Sequence, residues 1–353
     1  MLHDFSPFLW RISGDFGVRW YGLSYMIGFI LSYYLILWLT RRQNASITQE
    51  QISDFVTYGA IGVLVGGRLG YCLFYSPDLF LSFDSSFPFW GVLAVNKGGM
   101  ASHGGILGLI ASCLIFAQRN GMNPLYLFDL VAVCGPVGIF FGRLANFVNG
   151  ELVGRIAPEN YPWGVRFPQD ILNWPSQEFA RLGTLSVVVE KLGVSKDQWF
   201  EWMDKFRADS VSRMNLESTL YKIIDAVQAG HQEVRAAVAP LLDLRYPSQL
   251  FAALGEGVLL FSVLFLFWRK PRKPGMVGAL FVVVYALVRI SDEQFRLPDA
   301  HIGYQLFGLT RGQWLSIGML ALGLLLMLIW GKRSTLPTMG WRRVESVKIH
   351  RRK

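Results

Sequence analysis

The chain has 353 residues, of which 52% are hydrophobic and 17% are charged, and its formal net charge is +9. A mean hydropathy of +0.34 is too high for a soluble enzyme, so the composition indicates a polytopic membrane protein. The basic balance could also suggest nucleic-acid binding, but in a membrane protein such charge usually sets orientation, and no nucleic-acid partner is expected.

The first 154 residues contain an amphipathic, aromatic arm over 1–16, suited to the membrane interface, and four apolar stretches long enough to cross a bilayer. These predicted spans cover about 18–39, 55–75, 98–118 and 126–148.

The second part of the chain begins with a polar segment, 155–246, interpreted as an inserted head that is helical over 196–238. The segment 247–331 holds three further predicted spans, at about 250–268, 276–290 and 314–330, and 332–353 is a basic tail. The predicted fold is therefore an all-α polytopic membrane protein with seven transmembrane helices and an external head.

Orientation follows from the short loops, because cytoplasmic loops carry an excess of lysine and arginine. The loops after the first, third and fifth spans are basic, whereas the opposite loops hold little beyond Lys97, Arg296 and Arg311. The basic tail lies on the same side as the basic loops. We therefore expect a cytoplasmic C-terminus and, with seven spans, an external N-terminus.

The stretch 135–155 begins as an apolar segment typical of a transmembrane helix and ends in polar residues. Its sequence is G-P-V-G-I-F-F-G-R-L-A-N-F-V-N-G-E-L-V-G-R. Arg143 stands among aromatic and aliphatic neighbours, and an arginine near lipid is a functional candidate by default. At 100° per residue, Arg143, Asn146 and Gly150 are predicted to share one helix face.

The sixth span carries Tyr285, Arg289, Glu293 and Arg296 at spacings that predict one polar stripe on an apolar helix. Two simpler readings stay open: charges that reach the headgroups from a helix end, and a plain Arg289–Glu293 ion pair.

His103, within S-H-G-G, is either a neutral-pH base or an interfacial histidine bonded to a loop carbonyl. Arginine presents a planar fork that suits phosphate, so we hypothesise that Arg143 and Arg289 hold a lipid phosphate while His103 handles a proton. Arg68 and Glu256, both within spans, are expected to pair with each other or with neighbouring helices.

The three cysteines lie in apolar runs without C-x-x-C spacing, and no H-E-x-x-H or G-x-S-x-G motif occurs. No metal, cofactor or protein nucleophile is therefore expected.

The block G-R-L-A-N-F-V-N-G-E-L-V-G-R at 142–155 resembles the signature of the bacterial prolipoprotein diacylglyceryl transferases. Further blocks follow in that family's order: W-Y-G-L-S-Y at 20–25, G-G-R-L-G-Y-C-L-F-Y at 66–75, G-G-M-A-S-H-G-G-I-L-G at 98–108, Y-P-S-Q-L at 246–250 and Y-A-L-V-R-I-S-D-E-Q-F-R-L-P-D at 285–299. Three features depart from the family pattern, namely Arg19, Ala145 and a longer head over 168–245.

The resemblance implies a seven-helix enzyme of the bacterial inner membrane, with a periplasmic head, a periplasmic N-terminus and a cytoplasmic C-terminus. It implies transfer of diacylglycerol from phosphatidylglycerol to the thiol of the lipobox cysteine of a prolipoprotein, which gives a thioether and glycerol 1-phosphate. The expected partners are thus membrane lipid and prolipoprotein signal peptides, and the enzyme is expected to be a monomer without a cofactor.

The resemblance also implies residue roles. The catalytic candidates are His103, Arg143, Tyr285 and Arg289. Arg143 is also expected to contact the lipid headgroup, and the other lipid-binding candidates are Tyr21, Asn146, Glu151, Gly154, Glu293 and Arg296. His103 is the candidate base and Tyr285 its alternative, while an electrostatic role for His103 fits equally well.

Two other classes compete with a transferase. A transporter could use the same arginines as a headgroup pathway, but it should show paired broken helices and repeated halves, of which only a weak G-R-L echo is present. A structural scaffold could bury the charges as ion pairs, yet it gives no reason for His103 between glycines.

Overall fold

A computed structural model gives the fold and describes residues 1–13, 16–43, 45, 47–85, 88–95, 98–297, 305–335 and 340. Lys97, the end of the 285–299 block and most of the predicted basic tail lie outside these residues.

The helices of the first half begin and end close to the predicted spans, except that the second begins six residues earlier. Helices α1 to α4 are Trp20–Gln43, Gln49–Phe74, Ser102–Asn120 and Pro124–Asn149. The head contributes α5 to α9, which are Trp174–Gln177, Ser186–Glu190, Lys196–Lys205, Ser210–Gln228 and Gln232–Val238. The predicted helical character of 196–238 is confirmed by the last three.

The second half holds α10 (Ser248–Ala252), a π-helical segment (Ala253–Leu259) and α11 (Leu260–Trp268), which together form one apolar helix. Helices α12 and α13 are Met276–Asp292 and Arg311–Lys332.

Among the described residues, five helices are long and apolar enough to cross a membrane, which identifies a multi-pass membrane protein. They are α1, α2, α4, the helix Ser248–Trp268 and α13. Helices α3 and α12 occupy the positions of the third and sixth predicted spans but lie outside this group. A helix of 17 residues such as α12 is only about 25 Å long. The count of seven spans stays a prediction.

The N-terminal arm corrects the all-α expectation, because it forms a β-hairpin. Strand β1 (Phe8–Ser13) pairs antiparallel with β2 (Phe16–Arg19), and β2 leads directly into α1. The arm is rich in aromatic and aliphatic residues, which suit a strand as well as an interfacial segment. The chain is therefore mostly helical with one small sheet.

The chain divides into two compact units that interleave along the sequence. The first comprises Met1–Tyr25, Phe140–Gly255 and Val288–Leu315, and the second Met26–Ile139, Glu256–Leu287 and Ser316–Lys353. The segment boundaries drawn at 154, 246 and 331 from the sequence stay a prediction.

The head, within the first unit, has its own hydrophobic core around Trp199, which is fully buried and donates its ring N–H to the Leu182 carbonyl at 3.0 Å. Side chains cap the starts of two of its five helices. Ser195 accepts from the Gln198 N–H before α7, and Asp209 accepts from two N–H groups before α8. Apolar burial and these two caps contribute to the stability of this polar segment.

In the second unit, α2 and α3 pack through glycines. A methyl group on Gly66 or Gly108 would overlap backbone atoms of the facing helix. Small residues allow this close approach, which favours association of helices in a membrane.

An arginine–carboxylate cluster in the head supplies a test of stability. Arg181 donates to both carboxylate oxygens of Asp243, at 2.8 and 2.9 Å, and to Glu178 at 2.8 Å. The bond from Arg181 lowers the pKa of Asp243. We expect Asp243→Asn to lower the free energy of unfolding of the head by about 2 kcal/mol, since bonds between charged groups are among the stronger ones.

Hydrogen exchange of head peptides in the full-length protein measures this loss, with Glu178→Gln as the matched control. Glu178 is 46% exposed and accepts one bond, so its loss should be smaller. Because the pKa of Asp243 is lowered in the folded state, its contribution is present above the ordinary aspartate pKa of about 3.9 and is lost as pH falls below it. A difference between wild type and Asp243→Asn that persists in strong acid would contradict this assignment.

Candidate functional site

Three arginines line one hollow in the first unit. Arg143 comes from α4, Arg289 from α12 and Arg296 from just beyond α12. The remaining lining residues are Leu152, Ser248, Gln249, Ala252 and Asp292. We call this site the arginine hollow. Three of the lining residues are arginines and one, Asp292, carries a carboxylate, so the lining holds more positive than negative side chains, a composition that suits an anion with several oxygens.

Arg289 is held by an ion pair with Glu293, in which Nη2 lies 2.5 Å from Oε1. Thr310 donates its hydroxyl to the other oxygen of Glu293 at 2.9 Å. The Glu293 side chain is 5% exposed and does not line the hollow. Glu293 is therefore placed to position Arg289.

This arrangement corrects the predicted four-residue stripe. Helix α12 ends at Asp292, and the Glu293 N–H still bonds the Arg289 carbonyl at 3.2 Å, so Glu293 closes the last turn, whereas Arg296 lies beyond the helix. The Arg289–Glu293 ion pair, which the sequence left open, is present. Arg296 instead pairs with Gly154 as an isolated β-bridge, which brings it back to the arginine hollow.

The end of α4 is shaped by Gly150, whose φ of +67° is in the left-handed region. A side chain at this position would also overlap Gln169. The Glu151 N–H bonds the Asn146 carbonyl at 3.1 Å, so the chain turns back on the helix.

The turn brings three predicted site residues together. The buried side-chain amide of Asn146 donates to the Glu151 carboxylate at 2.6 Å and to the Tyr21 hydroxyl at 3.0 Å. Arg143 and Asn146 lie three residues apart in α4 and share a helix face, as predicted, whereas Gly150 follows the end of the helix. Tyr21, Asn146 and Glu151 are not among the residues that line the arginine hollow.

The loop after Glu151 is fixed by side chains from the start of the fifth predicted span. Gln249 donates to the Glu151 carbonyl at 2.7 Å, and Ser248 donates to the Leu152 carbonyl at 3.0 Å. Leu152 has a φ of +55°, which is strained for a leucine and is maintained by such bonds.

Gly154 sits where backbone segments meet. A Cβ there would overlap the Tyr246 carbonyl and lie 2.9 Å from the Phe295 carbonyl oxygen, so only glycine fits. The buried side chain of Arg245 donates to the Gly154 carbonyl at 3.1 Å and also binds Asp170. Gly154 thus links the segment 150–155 after α4, which we call the signature loop, to the head.

Arg155 ties the signature loop to the chain segment that carries Arg296. Its guanidinium donates to the Arg296 carbonyl at 2.9 Å and to the Glu293 carbonyl at 3.0 Å. These contacts fix the position of Arg296 relative to the loop.

Several residues at the site were missed by sequence reasoning. They are Arg155, Arg245, Ser248, Gln249, Asp292 and Thr310. The Y-P-S-Q-L block offered a signal, because it places polar side chains at the start of an apolar helix.

The other two predicted site residues belong to the second unit and are described within it. His103 is the second residue of α3 and is exposed. Tyr285 in α12 stacks on Phe281, with ring centroids 5.7 Å apart.

The expectation that Arg68 pairs with Glu256 or a neighbouring helix is wrong. The Arg68 guanidinium donates to the carbonyls of Gly91, Val92, Gly98 and Gly99, at 2.6 to 2.9 Å. The partners lie in the connection between α2 and α3, which no helical periodicity could reveal.

Comparisons with known proteins agree with the motifs around this site. A family model described as "Prolipoprotein diacylglyceryl transferase" matches residues 7–329. A protein of Bdellovibrio bacteriovorus is 60% identical over 352 residues, covering 100% of both chains. Proteins of Neisseria gonorrhoeae and Rhodospirillum centenum are 36% and 35% identical, covering 91% and 88% of this chain and 94% and 87% of theirs. All three relatives are named phosphatidylglycerol–prolipoprotein diacylglyceryl transferase. Since the match spans nearly the whole chain, this multi-pass membrane protein belongs to the prolipoprotein diacylglyceryl transferase family.

Proposed function

We propose that the protein transfers the diacylglyceryl group of phosphatidylglycerol to the lipobox cysteine thiol of a prolipoprotein. The products are a thioether-linked lipid and glycerol 1-phosphate, and the reaction is the first step of lipoprotein maturation. The observation that carries the proposal is the arginine hollow, in which Arg143, Arg289 and Arg296 surround one space in a member of this family.

The difficult event is cleavage of a carbon–oxygen bond to a phosphodiester. The sulfur forms a bond to the terminal glyceryl carbon, and the carbon–oxygen bond breaks with its electron pair left on the phosphate oxygen. Guanidinium groups held in place stabilise that charge, and they do so more strongly in a site of low dielectric. Arg143 and Arg289 are assigned this role, and Arg296 completes the grip on the headgroup.

The attacking thiol must lose its proton. An ordinary cysteine pKa of about 8.5 leaves only a few per cent of thiolate at neutral pH. His103 is assigned as the base that takes this proton, which passes on to solvent or to the departing glycerol phosphate. Tyr285 is assigned to orient the base or the substrate. The nucleophile belongs to the substrate, and the three cysteines of this chain are buried.

The remaining site residues shape the lipid pocket. Tyr21, Asn146 and Glu151 form a connected set of hydrogen bonds, and Gly154 fixes the loop that contributes Leu152 to the arginine hollow. Glu293 acts through Arg289, which it holds by an ion pair.

A reconstituted assay tests the function with purified protein, phosphatidylglycerol and a lipobox peptide. We expect mass spectrometry to find a peptide carrying diacylglycerol in thioether linkage, together with glycerol phosphate. Replacement of phosphatidylglycerol by phosphatidylethanolamine should abolish the product, as should serine in place of the peptide cysteine. A protein that moves phosphatidylglycerol between leaflets but leaves the peptide unmodified would contradict the proposal.

We further propose an inner-membrane location with a periplasmic N-terminus and a cytoplasmic C-terminus, supported by the distribution of lysine and arginine among the loops. A fluorescent protein that matures only in the cytoplasm should fluoresce when it is fused to the C-terminus and stay dark when it is fused to the N-terminus. The protein is proposed to act as a monomer, which the mass of the detergent-solubilised enzyme tests.

The support of Arg289 gives a kinetic prediction. Glu293→Gln removes the ion pair but keeps an acceptor for Thr310, so the guanidinium loses its fixed place. We expect kcat/KM for phosphatidylglycerol to fall about tenfold to a hundredfold, because a misplacement of 1 Å can cost that much. Thr310→Val removes only the neighbouring hydrogen bond and should cost less. Unchanged kinetics of Glu293→Gln would show that Arg289 needs no such support.

A further inference from the structure

We propose that Arg68 is a positioning residue that fixes the start of α3 and therefore the place of His103. This inference rests on the proposed function, in which His103 takes the thiol proton. It concerns residues of the second unit only.

Within the described residues, the guanidinium of Arg68 donates all of its hydrogen bonds to backbone carbonyls. Nε donates to the Val92 carbonyl at 2.7 Å, Nη2 to Gly91 at 2.7 Å, and Nη1 to Gly98 and Gly99 at 2.6 and 2.9 Å. Arg68 is 6% exposed. A buried cation is costly unless its donors are satisfied, so the contacts stabilise both the charge and the chain that supplies the carbonyls.

The position of Arg68 along α2 explains why these contacts are needed. It lies six residues before the end of α2 at Phe74, which corresponds to about 9 Å along the helix. The carbonyls therefore approach α2 beside its last turns, not beyond its end. Irregular backbone that packs beside a helix apolar enough to span a membrane needs hydrogen-bond partners from the protein, and Arg68 supplies them.

The glycines leading to α3 make the geometry specific. Gly98 and Gly99 have φ values of +85° and +81°, which side chains rarely adopt. A methyl on Gly99 would also lie 2.5 Å from the Tyr71 ring and 2.8 Å from Arg68 Nη1, whereas a methyl on Gly98 would meet nothing within 4 Å. A side chain at either position therefore costs backbone strain, and at Gly99 it would also push against Tyr71 and Arg68.

From this anchor to His103 the path is short. The Ala101 N–H bonds the Gly67 carbonyl at 2.9 Å, so the residue before α3 is tied to the neighbour of Arg68 in sequence. Helix α3 begins at Ser102, and His103 follows. The chain between the arginine contacts and His103 therefore has little freedom.

Lysine cannot make the same contacts, because its three N–H donors all belong to one nitrogen atom. The donors of arginine are spread over a planar guanidinium group, which can reach four carbonyls at once. We expect Arg68→Lys to lower kcat about tenfold or more, since a positioning shift near 1 Å has effects of that size. KM for phosphatidylglycerol should change less than about twofold, because the phosphate grip is assigned to Arg143 and Arg289. Arg119→Lys, at the other end of α3, is the control and should keep wild-type kcat.

The glycines provide a second route if Arg68→Lys fails to fold. We expect Gly99→Ala to lower kcat about tenfold. Gly98→Ala imposes the same backbone strain but should lower kcat only a few-fold. Equal losses in the two variants would overturn the inference.

A spectroscopic readout separates positioning from catalysis. A spin label attached through Ser102→Cys should gain mobility in Arg68→Lys, whereas a label at Ile106→Cys, one turn into α3, should not. An unchanged spectrum at 102 would overturn the inference whatever the activity.

The double variant Arg68→Lys/His103→Asn should be no slower than His103→Asn alone, because Arg68 acts through His103. A double variant whose loss of kcat equals the product of the two single-variant losses would overturn the inference. Normal turnover by His103→Asn would instead refute the proposed role of His103, and the label at 102 would still decide whether Arg68 fixes the start of α3.

Discussion

Arg143→Ala is expected to remove turnover, with kcat falling by about a hundredfold to a thousandfold in the phosphatidylglycerol assay. Loss of one group that stabilises a developing anion has effects of this size. Arg143 shares the arginine hollow with Arg289 and Arg296, so its removal leaves the phosphate with an incomplete grip. Inserted, folded protein is confirmed by the melting temperature in detergent.

Arg143→Lys serves as the matched variant, because it keeps the charge and loses the planar fork. It should recover only part of the rate, since bidentate contact to phosphate requires a guanidinium. A folded Arg143→Ala enzyme with normal turnover would refute the proposed phosphate grip, and a fully active Arg143→Lys enzyme would restrict Arg143 to a charge effect.

His103→Asn is expected to lower turnover at neutral pH by about a hundredfold or more, the usual contribution of a general base. The rate of the variant should then rise with pH until the substrate thiol, with a pKa of about 8.5, is ionised. The amide cannot take a proton but preserves size and polarity, so folding should be retained. Initial rates of peptide lipidation from neutral to alkaline pH check this.

A flat, low rate across that pH range would assign His103 an electrostatic or orienting role instead. Tyr285→Phe is the companion variant, because it tests the alternative base. Rescue of Tyr285→Phe, but not of His103→Asn, by alkaline pH would exchange the two assignments.

Much of the architecture follows from hydropathy because a membrane span must be long, apolar and internally hydrogen-bonded. The helix Pro124–Asn149 begins two residues before its predicted span, and the helices of 196–238 in the head follow the 3.6-residue period. The hairpin Phe8–Ser13/Phe16–Arg19 was missed because a short aromatic segment suits both a strand and the membrane interface.

The site was only partly predictable, for a related reason. Arg143 and Arg289 could be singled out because a charge in an apolar helix is costly, and that argument needs no partner. Arg68 is also a charged residue in an apolar helix, yet its partners are backbone carbonyls. Side-chain identity alone does not separate an arginine that binds carbonyls from one that faces a hollow.

Glu293 illustrates the limit of helical periodicity. Its spacing from Arg289 predicted a shared face, and the ion pair between them is present. The helix ends before Glu293, however, and Thr310 reaches it from a distant part of the chain. Contacts of this kind depend on tertiary packing, so a supporting role cannot be told from a lipid-binding role in the sequence.

We expect the arginine hollow to hold the phosphate of phosphatidylglycerol. An experimental structure of the enzyme with this lipid, trapped with a lipobox peptide whose cysteine is replaced by serine, would show where the phosphate binds. Phosphate oxygens should lie within hydrogen-bond distance of both Arg143 and Arg289, about 3 Å. A headgroup bound elsewhere, with those guanidinium groups directed away from it, would refute the phosphate grip.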